Sequence, residues 1–287
     1  MNRESLYDWQ YAMQKPEPPR RAWKQKLGSI FRLPLTNLVL FMLTLVTAYL
    51  AYGIWYSLAA TTILLAHEMG HFLTCRRYGV QATLPYFIPM FNPFGTMGAV
   101  IKIGSRIPNR KALFDIGAAG PLAGMVLALP AIIIGIKLST IVDTASSGGL
   151  PLGESLLFHH LSQWLRPELT PETDLMLHPL AFAGWFGMFV TALNLLPIGQ
   201  LDGGHVVYSI FGKKSTAIYR LAIFAFALNT IVYPMWILFF EILIVFGRKH
   251  PPPIDDITPI DLKRKILGAF IFVVFVVSFI PFPFDYL

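Results

Sequence analysis

Apolar residues fall in long blocks along this chain, with neither the strict alternation of a half-buried strand nor the narrow stripe of a surface helix. The blocks cover residues 33–53, 55–75, 112–136, 180–198, 221–246 and 266–283. A hydrocarbon layer of roughly 30 Å takes about 20 helical residues to cross, so each block is long enough. The pattern predicts an all-α polytopic membrane protein with about six transmembrane helices. The first two blocks nearly touch, and Tyr52-Gly53 is the natural turn between them. The fifth is long and contains Pro234, which predicts a kink or a hairpin there. Between the second and third blocks, residues 84–103 are apolar yet broken by Pro and Gly, and their latter part suits a short strand. Irregular backbone survives at membrane depth only against protein or a water-filled cavity, so this stretch is read as a small membrane-dipping β-hairpin, with a plain interfacial loop as the alternative. The division that follows is an N-terminal cytoplasmic segment (1–32), a membrane-embedded core (33–246), and a C-terminal loop with the last transmembrane helix (247–287). No internal repeat, heptad or Gly-rich phosphate loop is evident.

Composition agrees: 55% of 287 residues are hydrophobic and 14% charged, more apolar surface than one globular core can bury. The formal charge of +7 does not indicate a nucleic-acid partner, because the basic residues are spread over short segments flanking the blocks, where they set orientation. Arg3, Lys15, Arg20, Arg21, Lys24, Lys26 and Arg32 outweigh Glu4, Asp8 and Glu17, which places the first segment in the cytoplasm; it lacks the apolar core and cleavage site of a signal peptide. The setting expected is a bacterial inner membrane. Residues 139–178, rich in Asp and Glu, then form an outside loop, and the second and fourth blocks both end on the cytoplasmic side. After residue 220 two readings stay open. One span over 221–246 would put Arg248, Lys249, Lys263, Arg264 and Lys265 outside, against the charge rule, whereas a hairpin at Pro234 would put them inside. The single cysteine, Cys75, excludes an intrachain disulfide and a Cys-based zinc site.

Within the second block stands His67-Glu68-Met69-Gly70-His71. Two imidazoles and a carboxylate are costly in a bilayer unless something pairs with them. Residues four apart project on one helix face, so His67 and His71 can grip one metal ion while Glu68 points at a water on it; a His pair satisfied by backbone carbonyls is the plainer alternative. A catalytic zinc takes three protein ligands and keeps a position open, so a third must come from elsewhere. Asp202 is the favoured candidate, because the fourth block delivers it to the cytoplasmic side and Gly203-Gly204 let backbone pack closely against the metal helix. His205 is its rival, and a helix N-cap is the other reading of Asp202. Such a zinc lowers the pKa of its water toward 7, and Glu68 can take the proton and hand it to a leaving amine. Asn194 can donate to the oxyanion, or else simply pack helices. A zinc transporter and a catalytically inactive membrane scaffold are the competing functions. His159, His160, His178 and His250 outside the blocks count against the first, and the intact site residues against the second. Glu241, another carboxylate within a block, has no assigned role; a pairing with Lys or Arg or a place on a water path are both open.

Taken together, His67-Glu68-Met69-Gly70-His71, Gly120-Pro121 within residues 114–124, and Asn194-Leu195-Leu196-Pro197 running to Leu201-Asp202-Gly203-Gly204-His205 resemble the site-2 protease family of intramembrane zinc metalloproteases. The resemblance covers roughly residues 60–210. It implies one Zn2+ held by His67, His71 and Asp202, Glu68 as the general base, and the stretch Gly95-Thr96-Met97-Gly98 as the membrane-entering hairpin. It also implies hydrolysis of peptide bonds in or near transmembrane segments of a protein substrate within the lipid bilayer. The outside loop is too short for the PDZ domain that many members insert, since such domains need on the order of 80 residues or more. Nothing in the sequence indicates the oligomeric state.

Overall fold

A computed structural model of the chain describes residues 34–104, 106–143, 152–246 and 251–284. The expected cytoplasmic segment 1–32 lies outside the described residues, as do Arg248 and Lys249. Helix α1 (Leu35–Arg77) is broken at Tyr52 and Gly53, where Gly53 adopts φ 77°, a conformation that costs glycine little. The Ser57 hydroxyl donates to the carbonyl of Leu45 at 2.7 Å, although twelve residues of straight helix would hold the two about 18 Å apart. The first two apolar blocks are therefore two limbs folded back on each other.

Strands β1 (Tyr86–Pro89) and β2 (Thr96–Val100) form an antiparallel hairpin with Tyr86 opposite Val100 and Phe87 opposite Ala99. Its root is held by Asn37, which donates to the carbonyls of Leu84 and Pro85. Its tip is held by Thr47 and Tyr56, which donate to the carbonyls of Gly95 and Phe94. The hairpin thus runs along the first limb of α1 from end to end, and the Phe94 ring stacks on Phe186 and lies among Phe182, Trp185 and Phe189. The hairpin is therefore packed into the helices along its length and is not an isolated loop.

Helix α2 (Arg110–Leu138) starts where the Asn109 side chain accepts from the N–H of Ala112, and it packs against the second limb of α1. The described part of 139–178, the expected outside loop, holds helix α3 (Leu156–Leu165) and the paired strands β3 (Thr140–Asp143) and β4 (Thr173–Met176). Arg166 organises them by donating to the carbonyls of Ile136 and Ser139. Helix α4 (Pro179–Asn194) runs back through the centre and is buried almost throughout. It is followed by α5 (Asp202–Phe211), a 3-10 turn (Gly212–Lys214) and α6 (Ser215–Val232). Among the described residues, three runs are long and apolar enough to cross a membrane: Leu35–Arg77, Arg110–Leu138 and Asp202–Val232.

The fifth block is not one span. After a 3-10 turn (Pro234–Trp236) the chain continues in α7 (Ile237–Phe246), and the Phe226 ring lies 5.3 Å from that of Trp236 and 6.2 Å from that of Phe240. Fourteen residues of straight helix would separate Phe226 and Phe240 by about 21 Å, so the chain reverses. Pro234 enforces the break, having no N–H to donate and restricting Tyr233 before it. Glu241 is exposed on α7, away from the residues that line the metal-site cavity described below.

Helix α8 (Leu262–Ser278) follows a loop tied to the start of α2. Ile254 and Asp255 donate from their N–H groups to the carbonyls of Ile107 and Pro108, and Asp256 pairs with Arg110 at 3.0 Å. Arg264 bridges Asp115, which also accepts from Tyr78, and Asp261, whose carboxyl is held below its usual range by the backbone N–H of Arg264 and by its guanidinium. Lys263, Arg264 and Lys265 therefore stand at the same end of the molecule as Arg76 and Arg77. Of the two readings left open after residue 220, the fold-back is the one the structure adopts.

Candidate metal centre

Small residues let α1 and α2 approach closely beside the imidazoles. A Cβ on Gly120 would strike the His71 ring at Nε2, and one on Gly124 would sit 3.3 Å from the Cβ of His67. Pro121 leaves the carbonyl of Gly117 without its helical donor and loosens the ladder there. The adjacent carbonyl of Ile116 lies 2.7 Å from Nδ1 of His71. A hydrogen bond at Nδ1 turns Nε2, with its lone pair, toward the space between the helices, the arrangement a metal-binding imidazole uses.

Into that space comes Asp202. It is the first residue of α5, and the N-cap position falls on Leu201, so its carboxylate does not cap the helix. Its Oδ2 lies 3.2 Å from Nε2 of His67 and 3.3 Å from Nε2 of His71. The three donor atoms lie within 4.8 Å of one another, the geometry of a group that can hold one metal ion. The flanking glycines serve a different contact from the one expected. A Cβ on Gly203 or Gly204 would strike the carbonyls of Leu195 and Gly199, so they seat α5 on its own preceding loop and not on the metal helix. His205, one helical turn along, packs against Gly117 and lies outside the donor group.

Asn194, at the end of α4, places Nδ2 3.2 Å from Nε2 of His67. Glu68 is 7% exposed and lines the same cavity, as does Ile101. The cavity measures about 630 Å³. Its walls include Ala99, Val100 and Ile101 from the end of β2 and beyond, Arg106 and Gln200, and Pro251, Pro252 and Pro253 from the loop before α8. The hairpin pairing continues past β2, with Ala82 bridged to Ile103 and the N–H of Thr83 donating to Lys102, so extended backbone runs beside the His pair.

Sequence reasoning missed three of these contributions. The carbonyl of Ile116 acts through backbone, which leaves no mark in side-chain identity. Arg106 and the three prolines lie on connecting segments with no periodic pattern. The run of prolines before a charged segment was a signal of ordered, extended chain, but not of where it lies.

The model of the peptidase M50 family matches residues 55–233. Among curated proteins, the chain is 33% identical over 241 residues to the probable zinc metalloprotease EGY1, chloroplastic, of Arabidopsis thaliana, covering 81% of this chain and 42% of that protein. It is 29% identical over 273 residues to the probable zinc metalloprotease EGY2, chloroplastic, of Oryza sativa subsp. indica, covering 90% and 49%. To EGY3 of the same source it is 30% identical over 252 residues, covering 77% and 40%. The chain thus spans less than half the length of these relatives.

Proposed function

Because the chain belongs to peptidase family M50, we propose that it is an intramembrane zinc metalloprotease hydrolysing peptide bonds in or near transmembrane segments of protein substrates. The observation that carries this reading is the meeting of His67, His71 and Asp202, drawn from segments more than a hundred residues apart, beside a buried carboxylate and an open cavity. Their fit to zinc rests on the donor set, two imidazoles and one carboxylate, and on the Gly120 cradle that leaves room for the His71 ring. Bound there, a zinc ion supplies a Lewis acid and a water of lowered pKa.

The chain's own residues do the rest. Glu68, outside the ligand group, takes a proton from the attacking water and returns it to the leaving amine nitrogen. The Asn194 amide donates to the carbonyl oxygen as it becomes negative. Ala99 and Val100, extended and bordering the cavity, offer backbone groups that pair with an unwound stretch of substrate.

The protein is an integral multi-pass membrane protein. We take both limbs of α1, α2, α4, the fold-back of α6 and α7, and α8 as its embedded limbs, which turns the fifth expected crossing into an out-and-back pair. The core is then closed on its charged side by the described part of the C-terminal segment, 251–284, through Asp256 and Arg264. We place that side toward the cytoplasm of a bacterial cell, on the strength of the basic residues gathered there.

Replacing Glu68 by Gln tests the reading. Cleavage of a transmembrane substrate is expected to fall by about 10²–10⁴-fold, the usual contribution of a general base, with zinc content unchanged. Retained cleavage, or zinc lost along with it, overturns the roles assigned.

A further inference from the structure

A second cavity, of about 400 Å³, lies on a different face of α5 from the one that carries Asp202 and His205, between α5, the start of α6 and α8. Its walls are apolar: Leu195, Val206 and Ile210 on one side, Ile218 on another, Ile271 and Phe275 on the third. Phe211 and Phe272 at its margin are 48% and 62% exposed, so the slot opens outward, where a membrane protein meets hydrocarbon. Of the residues that line it, only Lys265 carries a charge. Arg264 beside it is committed to Asp115 and Asp261, whereas Lys265 has no acidic partner among the described residues. Lys265 sits in the first turn of α8, at the end of the molecule where the basic residues gather. From there to Phe275 the slot follows ten residues of helix, about 15 Å, or half the thickness of a hydrocarbon layer.

We propose that this slot binds one acyl chain of an anionic phospholipid, with the lipid phosphate paired to Lys265. A cation at headgroup level above an apolar groove descending toward the midplane matches that ligand in charge and in depth, and basic pockets between helices on the cytoplasmic side are the recognised form of anionic-lipid sites. A zwitterionic lipid shares the chain but gains less from the lysine. The inner wall of the slot includes Leu195 and Gly203, each next to a residue of the metal centre, Asn194 and Asp202. An acyl chain there backs the turn that presents Asp202.

The test uses the full-length protein in bilayer discs containing equal amounts of phosphatidylglycerol and phosphatidylcholine, one or the other carrying a photoreactive group on its acyl chain. Expected is labelling concentrated in peptides of α5 and α8, stronger for phosphatidylglycerol by about fivefold, the effect of one lysine at an anionic surface. Lys265→Gln is expected to bring the two lipids to parity, while Lys263→Gln, on the same turn but not lining the slot, leaves the preference intact. Ala269→Trp, which fills the slot from α8, is expected to reduce labelling by both lipids. Labelling spread evenly over the lipid-facing helices, equal labelling by the two lipids in the parent protein, or no labelling of the slot, the result if residues 1–33 or a second copy fill it, would each overturn the proposal. None of these readouts depends on proteolysis.

Discussion

Four side chains and one backbone carbonyl make up the candidate metal centre, and they differ in how much they reveal of themselves. His67, Glu68 and His71 are legible because two His residues four apart share a helix face and because an apolar block makes them conspicuous. Asp202 is legible only jointly with topology, since a lone carboxylate beside two glycines reads equally well as a helix cap; the structure puts the cap at Leu201 and points Asp202 at the His pair. The distinction between Asp202 and His205 is therefore the sharpest residue-level test. Asp202→Ala should weaken zinc binding by more than about 100-fold, beyond what loss of an outer hydrogen bond costs a metal site. His205→Ala, which removes a side chain outside the donor group, should leave zinc bound in metal analysis after chelator challenge. The reverse pattern would make His205 the third ligand. The carbonyl of Ile116 was not legible at all, because any residue at that position presents the same oxygen.

At the scale of elements, the hairpin was legible as a break in helical character, yet its reach was not. Pro and Gly told that the chain is irregular; only the contacts from Asn37 through Thr47 to Tyr56 tell that it crosses most of the depth of α1. This geometry bears on how a helical substrate can be cut, since an intact helix hides its amide carbonyls in its own hydrogen bonds. An unwound stretch needs replacement partners in a dry site, and on the proposed function the end of β2, which lines the cavity with Glu68, would supply them. Val100 is 47% exposed, so its side chain contributes little packing. Val100→Pro removes a donor and blocks strand pairing. It should slow cleavage of a full transmembrane substrate by about tenfold or more, the worth of a backbone hydrogen bond or two, with zinc content normal, whereas Val100→Ala should be mild. Equal rates for the two variants at matched zinc would show that β2 does not present the scissile segment.

For the whole molecule, hydropathy marks which residues are buried in lipid but not which way the chain runs through it, and the fifth apolar block shows the difference. As one span it would set the charged loop before α8 outside; folded back at Pro234 it returns that loop to the side of Arg76 and Arg77, where Asp256 meets Arg110 and Arg264 meets Asp115. The charge rule and these ion pairs then agree, and the prolines 251–253 come to border the metal-site cavity. Single cysteines make this measurable once Cys75, which is buried, is replaced. Arg77, Glu168 and Ile257 are all exposed, so none of the three substitutions disturbs packing. Labelling with a membrane-impermeant thiol reagent should reach Arg77→Cys and Ile257→Cys from one face and Glu168→Cys only from the other. Ile257→Cys reacting together with Glu168→Cys would mean that α6 and α7 cross the membrane once, that the loop before α8 lies far from the metal centre, and that the ion pairs joining it to α2 do not form in the bilayer.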